Sequence, residues 1–203
     1  MVNAGSSSFY GITHSGSGTL QLISNTLDVD NAFTNSAGVF DLNGQNWTMT
    51  GATFSNTTTV QLIGSEPITG LTQDTDSGTW RYVGDGDSAA DTFTIKDFGA
   101  TDYYNLVILS TDAADVYQLG AGLVVGGTLT VSAGTMNANG NTNTLTGLVT
   151  IGGGVYQAST ATQTFNAGLT VSGGTFTAST GAVDVNGNVI LSSGTLTAPS
   201  GTF

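Results

Sequence analysis

Four phrases return at a fixed interval of 20 residues: LTVSAGTMNA begins at Leu129, VTIGGGVYQA at Val149, LTVSGGTFTA at Leu169 and VILSSGTLTA at Val189. Nothing is inserted between them. A unit this short cannot bury its own inner face, so it must be covered by its neighbours, and a fixed period means that each unit stacks on the last.

Within one unit the apolar residues alternate. Leu169 and Val171 flank Thr170, and Ser172-Gly173-Gly174 interrupts. Phe176 and Ala178 flank Thr177 before Ser179-Thr180-Gly181, and Val183 and Val185 flank Asp184 before Asn186-Gly187. Period-2 alternation puts one set of side chains in and the other out, and Gly and Asn suit the turns between runs. No segment shows the i, i+3, i+4 pattern of a helix. The expectation is an all-β parallel β-solenoid with three short strands per coil, about ten coils and a length of about 50 Å at roughly 4.8 Å per coil. Its inward columns are Leu129, Val149, Leu169 and Val189; Met136, Tyr156, Phe176 and Leu196; and Leu145, Phe165 and Val185. Gly134, Gly154, Gly174 and Gly194 should stack at one tight corner.

A longer correspondence overlies the short one. FTNSAGVFDLNGQNWTMTG (33–51) aligns with LTVSAGTMNANGNTNTLTG (129–147) at an offset of 96 residues, and FYGI (9–12) and LQL (20–22) align with YYNL (103–106) and YQL (117–119). This super-repeat of about 95 residues divides the chain into a first long repeat, 1–102, with an irregular acidic segment at 64–101, and a second, 103–203.

Composition removes several functions. The net charge is −12, and the only Lys and Arg are Arg81 and Lys96. Two cations cannot displace counterions along a nucleic acid, and an anionic membrane surface would repel the chain. No run of about 20 apolar residues is long enough to span a bilayer. Cysteine is absent, so disulfides and thiolate metal sites are excluded. The opening MVNAGSSSFYG has neither the basic nor the apolar region of a signal peptide.

Few residues offer chemistry. Nine of the 14 carboxylates lie between Asp74 and Asp115, whereas 116–203 carry one charged side chain, Asp184. In DGDSAAD (85–91), Asp85, Asp87 and Asp91 sit on a Gly-containing loop and resemble the start of a calcium loop. Ala89 stands at its fifth position and Lys96 at its twelfth, where a bidentate Glu belongs, and Asp74 and Asp76 could add oxygens from an adjacent coil. In TWRYV (79–83), Trp80 and Tyr82 share a core face, and Arg81 points outward to pair with an Asp. His14 is read as exposed or in a turn. One His and no Cys give no nucleophilic triad, and the Asp pattern shows no glycosidase pair. No catalytic residue is assigned. Asn46 and Asn56 begin two N-x-Thr sequons.

The phrase YYNLVI…GGTLTVSAGTMNANG, between Tyr103 and Gly140, resembles the repeat arrays of very large bacterial surface proteins. Less specifically, the chain is similar to the β-helical passengers of autotransporters and filamentous-haemagglutinin-type adhesins. The resemblance implies an extracellular or cell-surface stalk or fibre. Three functions follow: a self-associating structural element, an adhesin or glycan binder using the acidic segment, or an ice binder using the outward Thr130, Thr150 and Thr170 and Thr135, Thr175 and Thr195. The first leads. SGTF (200–203) matches SSSF (6–9), so long repeats start near Phe9, near Tyr103 and again at Phe203. Copies would then add end to end through edges at Phe9, Tyr10, Thr202 and Phe203.

Overall fold

The computed structural model describes residues 1–3, 5 and 7–203. Ser6, at the start of the SSSF phrase, lies outside the described residues. Every named element is a strand, and every pairing is parallel. The chain winds about ten times around a three-sided prism, visiting three faces in the same order in each coil.

The first face is continuous. Val2–Asn3, Thr19–Ser24, Val39–Asp41, Thr59–Leu62, Thr79–Tyr82, Asn105–Leu109, Leu129–Ala133, Val149–Ile151 and the starts of Leu169–Thr177 and Val189–Thr197 pair in that order. One inward column runs almost its full length: Leu20, Phe40, Val60, Trp80, Leu106, Leu129, Val149, Leu169 and Val189 are register partners in turn. Successive partners are 20 residues apart except at Thr79 and Asn105, which are 26 apart, and Leu106 and Leu129, 23 apart. The surplus residues form two projecting loops at the corner between the first and second faces. Burial of each Val, Leu or Phe in such a column stabilises by about 1.5–3 kcal/mol.

Register partners line up in columns on all three faces of the regular coils. Met136, Tyr156, Phe176 and Leu196 are partners on the second face, and Leu145, Phe165 and Val185 on the third. Leu129, Val149, Leu169, Met136, Tyr156 and Phe176 are fully buried. At the glycine corner a Cβ on Gly174 would run into the carbonyl oxygen of Gly154 and the side chain of Ile151. Coils approach too closely there for any side chain.

The long correspondence links different faces. Phe33 lies on the third face and its counterpart Leu129 on the first; Phe40 lies on the first and Met136 on the second; Trp47 lies on the second and Asn143 on the third. The inward phase is kept, and so is the turn. Asn43 and Asn139 have φ of 47° and 48°, Gly44 and Gly140 have 76° and 80°, and each Asn side chain donates to a carbonyl one coil back, Leu22 or Leu119, at 3.0 Å. One strand–turn–strand phrase thus serves two different corners.

Candidate functional site

The first projecting loop carries DGDSAAD. Gly86 and Ser88 adopt left-handed backbone, with φ of 72° and 69°, and this curls the loop. The amide of Ala89 donates to Asp87 Oδ1 at 2.7 Å, and that of Asp87 reaches Asp85 Oδ1 at 3.4 Å. The curl gathers Asp85, Asp87 and Asp91, whose nearest carboxylate oxygens lie within 4.8 Å of one another. Below them is the second loop. Asp115 is buried; it accepts from Ser110 Oγ at 2.6 Å and from the amide of Asp91 at 3.2 Å. Tyr117 Oη donates to the same Ser110 Oγ at 3.1 Å. Asp112 Oδ2 is buried without a hydrogen-bond partner. Desolvation, followed by the charges of Asp87, Asp85, Asp115 and Asp112, holds the Asp91 carboxyl above the usual carboxylate range.

This corner is oxygen-rich and presents the three carboxylates singled out in the sequence. A hard cation such as Ca²⁺ takes six to eight oxygens, of which these three side chains could supply only a part. Asp74 does not join them. It sits on the third face, where its Oδ2 accepts from the amide of Asn56 at 2.7 Å, because the first-face strand Thr79–Tyr82 separates it from the loop. Lys96, at the twelfth position, is half-buried. Burial pushes its ammonium down, against a smaller upward pull from Glu66.

The other reactive side chains are committed to the scaffold. Trp80 and Tyr82 are core, as their spacing indicates. Arg81 points outward, but its partner is an amide: Nε donates to Gln61 Oε1 at 3.0 Å, one rung away. The outward column there reads Gln21, Asp41, Gln61, Arg81, so the guanidinium faces Gln61 while Asp41 pairs with Gln21 at 2.9 Å. His14 is half-buried, with Nδ1 2.8 Å from Asn35 Oδ1, and Asn35 Nδ2 in turn donates to Asn56 Oδ1 at 2.9 Å. Asn35 and Asn56 are register partners inside the prism. Asn56 is therefore not free for glycosylation, whereas Asn46 is exposed.

The expected assembly edges lie at the two ends of the prism. Phe9 is half-buried against the core, and Tyr10 is 78% exposed at a register shift between Phe9 and Gly11. Thr202 accepts a backbone bond from Val183 at 2.9 Å on the third face, and Phe203 is 49% exposed. Val189 and Leu191 are 42% and 53% exposed, whereas their partners Leu169 and Val171 are fully buried.

Three buried polar features carry no local sequence signal. Glu66 accepts from the amides of Ile63, Gly64 and Gly44 at 2.7, 2.8 and 3.1 Å. Asp102 accepts from Phe98 and Val124 at 2.9 and 2.8 Å. Asn143, Tyr156 and Gln163 bond to one another in the core. All are isolated polar residues in a polar chain, and only their places on the faces reveal them.

No protein-family model, curated protein or solved structure matches the chain. The fold and the side chains define its class: a parallel β-solenoid repeat protein.

Proposed function

We propose that this chain is a non-catalytic structural protein, an extracellular or cell-surface β-solenoid rod that serves as a stalk or filament segment and associates end to end with further copies of itself. The observation that carries this reading is the first-face column. It keeps one inward column in register from Leu20 to Val189, so each coil presents its strand to the next in the same phase. A strand in register is a template for another strand, and a head-to-tail contact between copies does not close, so it extends. The resemblance of the stretch between Tyr103 and Gly140 to surface repeat arrays supports the location. The commitment of His14, Arg81 and Glu66 to scaffold bonds supports a role in shape.

Electron microscopy and sedimentation of the purified chain test this. The native chain should form rods longer than the roughly 50 Å that ten coils span, and Leu191→Asp should return single rods of that length. Native chains that remain single rods at high concentration would refute end-to-end association.

A further inference from the structure

The first face is unbroken, but the other two are not. On the second face the ladder of Leu27–Asn35, Trp47–Thr48 and Ile68–Thr69 stops, and a new ladder starts at Thr92–Ile95 and continues through Val116–Leu119. On the third face the ladder of Phe9–His14, Leu27–Asn35 and Thr53–Asn56 stops, and the next begins where Tyr103 bridges Val125. Both breaks fall at the same height along the rod.

Side chains tie the third face together across the gap. Asp74 Oδ2 accepts from the amide of Asn56, Ser77 Oγ donates to the Asn56 carbonyl at 3.0 Å, and Gln73 Nε2 donates to the Asp102 carbonyl at 2.7 Å. Inside, aromatic rings fill the gap. Trp80 lies 6.4 Å from Trp47 and 6.0 Å from Phe54 on one side, and 5.0 Å from Phe98 and 5.9 Å from Tyr103 on the other. Cooperativity in a stacked fold comes from the interfaces between neighbouring units. An interface with one ladder in place of three is the weakest of the series, and local opening concentrates at such places.

We propose that this level is a built-in seam at which the rod opens first. The blocks on either side separate about the first face as a hinge before either block unfolds. Opening at the seam does not depend on what the rod carries or on what covers its ends. It gives a rod under load a defined yield point.

The two tryptophans of the chain, Trp47 and Trp80, are fully or almost fully buried and meet at the seam, so the native chain carries its own reporter. In a guanidinium titration, tryptophan emission should shift at a lower concentration than the loss of the β-sheet circular dichroism band, because one reads the seam and the other reads all ten coils. Coincident transitions across the whole titration would overturn the proposal, since they mark all-or-none unfolding. In a Trp47→Phe, Trp80→Phe, Phe176→Trp chain the reporter moves into the second block, and its emission should follow the circular dichroism. Emission from residue 176 that shifts ahead of the dichroism would equally overturn the seam.

Discussion

Trp80 and Trp47 meet inside the prism with ring centroids 6.4 Å apart and planes 29° from parallel, although they are 33 residues apart and belong to coils two levels apart. The coil between them supplies Val60 on the first face and no third-face strand, and the two indoles reach across the space this leaves. Both indole Nε1 groups are buried without an acceptor. The contact is therefore held by ring area and dispersion, and two unmade hydrogen bonds oppose it.

Trp80→Phe should consequently cost little, under about 1.5 kcal/mol, because the lost ring area is partly offset by removal of an orphaned donor. Trp80→Ala should cost about 3–5 kcal/mol through the cavity it leaves. Chemical denaturation of both variants checks this. Equal losses would mean that the ring is not the element that matters.

Phe176 and Thr177 test the inward phase. Phe176 is fully buried, 5.5 Å from Tyr156 and 6.0 Å from Phe165 between ring centroids, and Thr177 is exposed on the outer side of the same strand. Phe176→Asp places an unpaired charge in the core and should prevent folding or remove several kcal/mol. Thr177→Asp should stay within about 0.5 kcal/mol. Thermal melts of the pair give the comparison, and similar losses would show the phase to be reversed.

The glycine corner gives a further pair. Gly174→Ala drives a methyl into the Gly154 carbonyl and Ile151, and should lower the melting temperature by several degrees. Gly152 has open space around its Cβ position and an ordinary backbone conformation. Gly152→Ala should be neutral or add up to about 1 kcal/mol by restricting the unfolded chain. A Gly174→Ala chain as stable as the native one would mean that the coils are not in close contact at this corner.

The regular coils were legible because Leu129, Val149, Leu169 and Val189 repeat without insertion, so position in the period equals position on a face. The shift of one face between the two long copies was not. Phe33 and Leu129 open the same strand–turn phrase, and the phrase fits any corner of a three-sided prism equally well. The acidic loop could be read from Asp85, Asp87 and Asp91, since their spacing already implies a curl. Asp74 lies on another face, since sequence distance says nothing about which corner a residue turns. The seam was hidden as well. Asp74, Ser77 and Gln73 look like ordinary turn residues, and their role follows only from the strands that are missing around them. Glu66 next to Pro67 reads as surface until its three amide donors are seen.

Acidification should stabilise this protein before it harms it. The carboxyls of Asp74 and Asp102 are held above the usual range mainly by desolvation, and that of Asp91 by desolvation and by Asp87, Asp85, Asp115 and Asp112. A carboxyl whose folded pKa is raised binds its proton more tightly folded than unfolded. Stability therefore falls as pH rises through the interval from the ordinary value, about 3.9, up to the raised one. The melting temperature should be higher near about pH 5 than near about pH 8. Asp91→Asn removes a charge facing Asp85 and Asp87 on its own loop and Asp112 and Asp115 on the loop packed beneath. At neutral pH the variant should be more stable than the native chain, with the difference shrinking on acidification. High salt should shrink it too, because exposed charges are screened. A native chain whose melting temperature falls steadily from neutral pH downward would show that these carboxylates are stabilised, not strained, by their surroundings.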